Sequence, residues 1–600
     1  MRAISYLDVE ITGGFWREKQ ELVSNVSLYN IYKRFCETGR FEAIKCVKND
    51  EHKPHIFWDS DVAKWLESAA YVLAKNHDKK LLSLANEAID DICKNQLDTG
   101  YFNSYFQVYE PENIFCKRTE HELYCAGHLI EAAIALRDAG VDERLFAAMI
   151  KYADYIYLRF FVKQDAGFVT PGHPEIELAL VKLYGATGCE KYLDLAAFFI
   201  DQRGKHSEAT YDFAYPIHHL DHVPVRQMKT AEGHAVRALY LYTAMADVAR
   251  LRGDKELEQV CQTLFSDITT KKMYATGGVG SSFNGETFTY PYHLPNETAY
   301  GETCAAIALA FFCDRLSKAQ NRATYQEVFE RAVYNGVLSG MSTDGKGFFY
   351  VNPLEMHEDS FNYNESLKTK LFHPIPQRLE VFDCSCCPPN LTRFIAQIGG
   401  FVYGEKSGDV LINQYVSSKV KVNDLSIQME SSMPFEGKVT VKTAGCAILK
   451  LRVPAWSGGV SMCVNEKRIV PKVQDGYIAV NCEGSSYIEV DFEMKPRFLY
   501  ANENVWYDAG RKAVECGPLL LCAESVDNGK NLRSVRVPSL EGLSVERGKW
   551  FSLTVPAEHL RTSVALYSND PPTWESFKLK LIPYFMWANR GKGDMQVWWL

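Results

Sequence analysis

The chain has 600 residues, of which 46% are hydrophobic and 24% charged, and its net charge at pH 7 is -9. This length is too great for one ordinary hydrophobic core, so we expect at least two domains. The acidic balance argues against a nucleic-acid partner, which would require a basic surface.

The N-terminus lacks the uninterrupted apolar segment of an export signal, and no stretch approaches the roughly 18 apolar residues of a membrane span. We therefore expect a cytoplasmic protein without a membrane partner. In that compartment the 17 cysteines should be reduced thiols, and most of them, such as Cys125 and Cys313, should fill small spaces in the core.

Residues 1–15 are a candidate strand of a C-terminal domain, and residues 16–404 are dominated by recurring apolar helices. Apolar helix starts are predicted at Asp59, Gly127, Gly172, Gly233, Glu302 and Leu391. Half-polar helices are predicted between them, beginning near Asp78, Glu190, Asp254 and Ala323. Fully apolar helices need burial on all sides, so this alternation predicts an inner ring of helices inside an outer ring, an (α/α)6 barrel.

From residue 405 the pattern changes to short alternating runs rich in β-branched residues, for example over 438–443 and 487–492. Runs of this length, separated by turn residues, predict antiparallel β-sandwich structure, and 405–600 is long enough for two such domains. The fold class is therefore α+β and multidomain, and a sandwich face is a candidate contact for a homodimer.

Three cysteines, Cys384, Cys386 and Cys387, lie in one ten-residue segment that continues into two prolines. Adjacent cysteines rarely form a disulfide with each other, because the bond needs well-separated Cα atoms, so a shared metal explains the pair better. Glu302 and Cys304 supply a carboxylate and a thiol upstream. Together with Cys386 and Cys387 they predict a four-coordinate Zn²⁺ site, although the spacing is not that of a zinc finger.

Glu286 lies in a glycine-rich loop, sixteen residues before Glu302. Glycosidic bond cleavage needs one group that protonates the leaving oxygen and a second that attacks the anomeric carbon or activates water. Glu286 is a candidate for the first role, held protonated by an enclosed pocket, and a Cys386 thiolate is a candidate for the second. A purely structural zinc that fastens the cysteine loop explains the spacing equally well.

The segment Cys-Cys-Pro-Pro-Asn at 386–390, Glu-Thr-Cys at 302–304, Glu286 and His-Glu-Leu-Tyr-Cys-Ala-Gly-His at 121–128 closely resemble glycoside hydrolase family 127 β-L-arabinofuranosidases. The resemblance implies an (α/α)6 barrel with β-sandwich domains and a retaining exo-hydrolase that releases terminal β-L-arabinofuranose from small oligosaccharides or glycosides. It further implies Zn²⁺ bound by Glu302, Cys304, Cys386 and Cys387, with Cys386 as nucleophile and Glu286 as acid/base.

The resemblance also implies a sugar pocket lined by histidines, and residues at matching positions are expected to contact the substrate. These are His121, His173, His234, Glu330 and Tyr350. Trp58 and Asp59, before the first inner helix, are candidates for a stacking face and a hydroxyl acceptor. Two choices stay open, namely Cys384 as an alternative zinc ligand and His128 in place of His121.

Other functions compete with the arabinofuranosidase at this point. The chain could be a related hydrolase acting on another furanoside or an acidic branched sugar. A sugar epimerase or uronyl hydrolase on the same toroid is the second alternative, although it would not need the paired cysteines. A non-catalytic carbohydrate-binding protein with a structural zinc is the third.

Overall fold

A computed structural model describes residues 1–51, 53–205, 216–359, 375–547 and 551–600. The main helices, in chain order, are α1 (Gly14–Leu22), α2 (Leu28–Glu37), α3 (Trp58–Leu73), α4 (Lys79–Asn95), α5 (Glu122–Asp138), α6 (Arg144–Ile156), α7 (Ile176–Thr187), α8 (Glu190–Gln202), α9 (Ala235–Arg252), α10 (Lys255–Lys271), α11 (Thr303–Ala319), α12 (Ala323–Arg331) and α13 (Cys387–Ala396). None of the helices in these ranges is long and apolar enough to cross a membrane.

Six helices form a closed inner ring. Helices α3, α5, α7, α9, α11 and α13 contact one another in this order, and α13 packs back on α3. Every residue of α13 is buried. The outer helices α2, α4, α6, α8, α10 and α12 bury one face only, as the helical spacing of Leu81, Ala85, Ala88 and Ile92 in α4 shows. The predicted (α/α)6 barrel is confirmed.

The helix starts follow local sequence signals. Asp78 and Asp254 are N-caps of α4 and α10, and their carboxylates accept hydrogen bonds from the backbone N–H groups of the first turn. Helix α5 begins at Glu122 and not near Gly127 as predicted, because the residues before Gly127 are already apolar and buried. The earlier start makes His121 the N-cap residue and places His128 inside the helix.

Two sheets with alternating buried and exposed side chains follow the barrel, and both include residues from the N-terminus. One sheet has the strand order Arg2–Ala3, Tyr403–Lys406, Asp409–Ile412, Ala447–Arg452, Tyr477–Cys482 and Val473–Gln474. The other has the order Lys467–Ile469, Val460–Val464, Ser485–Phe492, Lys438–Ala444, Leu425–Ser431, Ser418–Val422 and Glu10–Ile11. Within them Asp409–Ile412 and Ala447–Arg452 are parallel, whereas their other strand pairs are antiparallel.

A third, antiparallel sheet is built mostly from the C-terminal residues. Its main path is Pro496–Tyr500, Lys512–Cys516, Leu519–Glu524, Thr573–Pro583, Phe551–Arg561 and Val535–Arg536. Ser544–Arg547 pairs with Phe551–Arg561, and Met595–Gln596 joins Leu519–Glu524 to Glu355–Met356 from the barrel region. This last pairing fastens the C-terminal sheet to the chain segment that leads into the cysteine loop.

Candidate active site

The N-terminal ends of the inner helices meet around a cavity of about 420 Å³. Its lining includes the N-cap residues of five of these helices, Phe57, His121, His234, Glu302 and Cys386. A helix N-terminus carries a partial positive charge, and several of them directed at one point stabilise anionic groups there. The barrel therefore favours carboxylates and thiolates at this end.

Four side chains of this region form a compact group of metal-binding type. The ligand atoms of Glu302, Cys304, Cys386 and Cys387 all lie within 4.8 Å of one another. The Sγ atom of Cys304 is 3.3 Å from that of Cys387 and 3.8 Å from that of Cys386, and Cys386 Sγ is 3.7 Å from Cys387 Sγ. These separations are far longer than a disulfide bond of about 2.05 Å. The group is therefore three thiols and one carboxyl, as predicted from the sequence.

The donor set fits a tetrahedral zinc. With Zn–S bonds of about 2.3 Å, a tetrahedron has S···S edges of roughly 3.8 Å, close to the observed distances. Glu302 Oε1 lies 3.8 Å from the Sγ atoms of both Cys386 and Cys387, and the buried Oε2 atom has no hydrogen-bond partner among the described residues. A buried carboxylate oxygen without a partner is costly unless a cation satisfies it. The four residues can therefore hold a metal ion.

Within this group thiolate character is favoured at Cys304, whereas burial raises the pKa of Cys387 well above its usual value. Burial raises the pKa of Cys304, but hydrogen bonds from Cys386 and Cys387 outweigh it and lower the pKa to about 6. Cys384 differs, because a hydrogen bond with Cys386 and burial both raise its pKa. Cys384 lines the cavity but lies outside the four-residue group, with its Sγ atom 3.8 Å from the Tyr350 hydroxyl.

Glu286 faces the same cavity from a strained turn. Gly285 and Glu286 both have left-handed backbone conformations, with φ of 68° and 57°, which a residue other than glycine adopts at a cost. The Tyr300 hydroxyl donates to Glu286 Oε1 at 2.7 Å, and His234 Nε2 contacts Oε2. Burial raises the pKa of Glu286, but these two partners outweigh it and lower the pKa. The expectation that the enclosed pocket holds Glu286 protonated is therefore not supported.

Tyr350 stands between the two candidate catalytic groups. Its hydroxyl is 3.4 Å from Cys386 Sγ and 3.5 Å from Glu286 Oε1. The sulfur and the carboxylate oxygen are therefore no more than about 7 Å apart. One sugar carbon in the cavity would be within reach of both.

The predicted histidines also line the cavity. His121, His173 and His234 belong to its wall, and their rings follow one another with centroid distances of 5.9 and 5.6 Å. Burial lowers the pKa of all three, so neutral imidazoles face the cavity and are suited to hydroxyl groups. His128 is completely buried below them, with Nδ1 3.1 Å from the Glu175 carboxylate. Of the two residues, His121 lines the described cavity and His128 does not, so His121 stays the predicted sugar contact.

Glu330 requires a correction. Its carboxylate lies on the outer helix α12, where it forms an ion pair with Arg452 at 2.6 Å and accepts from Trp456 Nε1 at 2.9 Å. Both partners come from the sheet region after the barrel. Glu330 is absent from the described cavity lining, because the outer helix α12 packs on the inner helix α11, which lies between it and the cavity. The contacts of Glu330 therefore join helix α12 of the barrel to the sheet region that follows it.

Trp58 and Asp59 also lie outside the cavity wall as far as the structure describes it. The Trp58 ring packs against the Arg40 guanidinium at 4.9 Å. Asp59 Oδ2 accepts from the Ser104 backbone N–H at 2.8 Å, and burial raises the pKa of this carboxyl to about 6. Their neighbours Phe57 and Ser60 line the cavity instead.

Several residues of the cavity wall were not predicted from the sequence, namely His55, Tyr124, His218, Arg237 and Tyr240. Tyr300, which donates to Glu286, was not predicted either. Two of the wall residues follow a predicted histidine by three residues, since Tyr124 follows His121 and Arg237 follows His234. Residues three apart share a helix face, so this spacing was a usable signal once the helix starts were known. His55 and His218 lie in connecting segments, where no periodicity identifies them.

Family models match almost the whole chain. The GH127 catalytic domain of β-L-arabinofuranosidase matches residues 8–400, the GH127 middle domain matches residues 409–495, and the glycoside hydrolase family 127 C-terminal domain matches residues 496–600.

Individual proteins agree with these matches. The non-reducing end β-L-arabinofuranosidase of Bifidobacterium longum subsp. longum is 35% identical over 597 residues, which cover 92% of this chain and 90% of that protein. The crystal structure of a GH127 β-L-arabinofuranosidase from Geobacillus stearothermophilus T6 is 37% identical, with a TM-score of 0.93 over 98% of this chain and 99% of that chain. A second solved GH127 β-arabinofuranosidase is 33% identical, with a TM-score of 0.90 over 100% of this chain and 97% of that chain.

Proposed function

The chain belongs to glycoside hydrolase family 127 and is a glycoside hydrolase, and we propose that it releases terminal β-L-arabinofuranose with retention of anomeric configuration. Cys386 is the nucleophile and Glu286 the acid/base. The observation that supports this assignment is the Tyr350 hydroxyl, which lies within 3.5 Å of both Cys386 Sγ and Glu286 Oε1 in the cavity. A thiol and a carboxylate placed this way can act on the same glycosidic bond.

Zn²⁺ is the proposed metal, held by Glu302, Cys304, Cys386 and Cys387, since three thiolates and a carboxylate suit zinc better than a hard cation. Bound zinc would keep these thiols deprotonated at neutral pH. The protein itself contributes the enclosed cavity, the helix N-termini that favour negative charge, and a Glu302 oxygen for which the described residues supply no hydrogen-bond partner.

The reaction has two displacements. His121, His173 and His234 orient the sugar hydroxyls. In the first step the Cys386 sulfur forms a bond to the anomeric carbon while the bond from that carbon to the leaving oxygen breaks. Glu286 gives the leaving oxygen its proton. In the second step Glu286 accepts a proton from water, the water oxygen bonds to the anomeric carbon, and the carbon–sulfur bond breaks. Two inversions give net retention. Glu286 must take up a proton before the first step, whereas its resting hydrogen bonds favour the ionised form that the second step uses.

The test is the release of L-arabinose from methyl β-L-arabinofuranoside, compared with the α-anomer and with pyranosides. Proton NMR of the first product should show the β-anomer. Replacing Cys386 by Ala should abolish turnover, whereas replacing the neighbouring Cys384 by Ala should retain most of it. Normal hydrolysis by the Cys386→Ala protein, or an initial α-anomer, would refute the nucleophile assignment. Metal analysis of the purified protein should find one zinc per chain.

A further inference from the structure

A cluster of exposed aromatic rings lies beside the cavity. Tyr290 is 62% exposed, Trp506 81% and Tyr507 40%. The Tyr290 ring stacks on His293 with a centroid distance of 4.5 Å, and the His293 ring is 5.9 Å from that of Tyr507. Single exposed apolar residues are normal, but a connected patch of this kind marks a binding surface. The exposed Trp506 precedes Tyr507 in the same turn, and we call Tyr290, His293, Trp506 and Tyr507 the aromatic platform.

The platform is held in place by buried contacts beneath it. Asn296 Nδ2 donates to Asp508 Oδ1 at 2.7 Å, and both side chains are at least 95% buried. This bond joins the barrel to the turn Trp506–Asp508, which carries two platform residues. On the other side the Thr289 hydroxyl contacts His293 Nδ1 at 2.8 Å and the Ser281 hydroxyl at 2.6 Å. Rings fixed in this way lose little conformational entropy when a ligand binds.

The platform and the catalytic cavity share one loop of the chain. The loop that carries Tyr290 and His293 also carries Phe283 and Glu286, which line the cavity. Tyr290 follows Glu286 by four residues, so their Cα atoms are at most about 14 Å apart. Phe283 lines the cavity and is itself 41% exposed. A chain of sugars that leaves the cavity along this loop therefore comes within reach of Tyr290.

We propose that the aromatic platform binds the leaving part of a longer glycan whose terminal sugar occupies the cavity. The proposal rests on the proposed function and specifies its substrate as an oligosaccharide or polysaccharide. Sugar rings present C–H groups with partial positive charge on one face, and these pack on the negative face of an aromatic ring. One face of Tyr290 is covered by His293, which leaves the other for the ligand. The platform combines residues from the barrel and the C-terminal domain, which gives the latter a part in substrate binding.

The test compares two substrates that differ only beyond the cavity, methyl β-L-arabinofuranoside and a trisaccharide of L-arabinofuranose with a terminal β-linkage. The methyl glycoside is chosen because an aryl group could itself stack on the platform. For Trp506→Ala and Tyr290→Ala, the ratio of kcat/KM for the trisaccharide to kcat/KM for the methyl glycoside should fall roughly three- to tenfold. Tyr567→Ala is the matched control, because Tyr567 is an 89% exposed aromatic residue elsewhere in the C-terminal region, and it should leave the ratio unchanged.

An unchanged ratio in both platform variants would overturn the proposal. Calorimetric titration of the trisaccharide into Cys386→Ala protein, with and without Trp506→Ala, keeps this outcome separate from a failure of the proposed function. If the wild-type enzyme hydrolyses neither substrate, the proposed activity is wrong. Even then, weaker trisaccharide binding in calorimetry when Trp506→Ala is added to Cys386→Ala would support the platform. Sedimentation velocity tests whether a second copy of the chain, and not a glycan, occupies the platform. A dimer that dissociates in Trp506→Ala, with an unchanged ratio, would assign the platform to a second copy of the chain.

Discussion

Replacing Glu330 by Gln distinguishes a structural role from the sugar contact expected from the sequence. The Glu330 carboxylate pairs with the Arg452 guanidinium at 2.6 Å, and their side chains are 6% and 0% exposed. Removing one partner of a buried ion pair leaves an uncompensated charge and typically costs about 3 to 5 kcal/mol. Since the glutamine oxygen can still accept a hydrogen bond from Trp456, we expect the free energy of unfolding to fall by an amount near the lower end of this range, about 3 kcal/mol.

The assay measures the apparent midpoint of urea unfolding and kcat/KM at a temperature where the variant is folded. Glu330→Gln should lower the midpoint and leave kcat/KM within about twofold, because Glu330 does not contact the cavity. The control is Glu256→Gln, which breaks an exposed pair with Arg226 and should cost less than about 1 kcal/mol. A variant of unchanged stability with a tenfold loss of kcat/KM would refute the structural role and restore the sugar contact.

Three further results are expected. Burial raises the pKa of Asp508 to about 7, so between about pH 4 and 7 the folded protein binds more protons than the unfolded chain. Its free energy of unfolding therefore falls as the pH rises through that window. Asp508→Asn should remove this part of the fall, measured by urea unfolding at several pH values, and an unchanged pH slope would contradict the assignment. Cys304→Ser should lower zinc content measured by atomic emission as well as activity, whereas full zinc occupancy would exclude Cys304 as a ligand. Gly285→Ala should lower kcat, because a Cβ there would lie 3.1 Å from His218 Nδ1 and shift Glu286. It should also lower the free energy of unfolding by about 1 to 2 kcal/mol, because the backbone at φ 68° is left-handed.

The fold was largely predictable because the barrel imposes a strong pattern. An inner helix is buried on every side, and only an apolar sequence satisfies this, so the starts near Asp59, Gly233 and Glu302 could be located. The group of three thiols and one carboxyl was predictable for a different reason, since adjacent cysteines seldom bond to each other and a shared metal was the better explanation of the pair. What the spacing could not provide was the direction of a side chain, and Glu330 was assigned to the cavity although α12 turns it towards Arg452.

His234 connects the architecture of the barrel to the proton that catalysis requires. Its Nδ1 atom accepts a hydrogen bond from the backbone N–H of Val236 at 3.2 Å and thereby caps helix α9. An accepting Nδ1 places the single proton of the neutral imidazole on Nε2, the atom that contacts Glu286 Oε2. Glu286 then accepts from both His234 and Tyr300, which stabilises its ionised form. In the proposed mechanism the resting site is thus arranged for the water-activating second displacement, and the proton for the first would reach Glu286 from outside this pair.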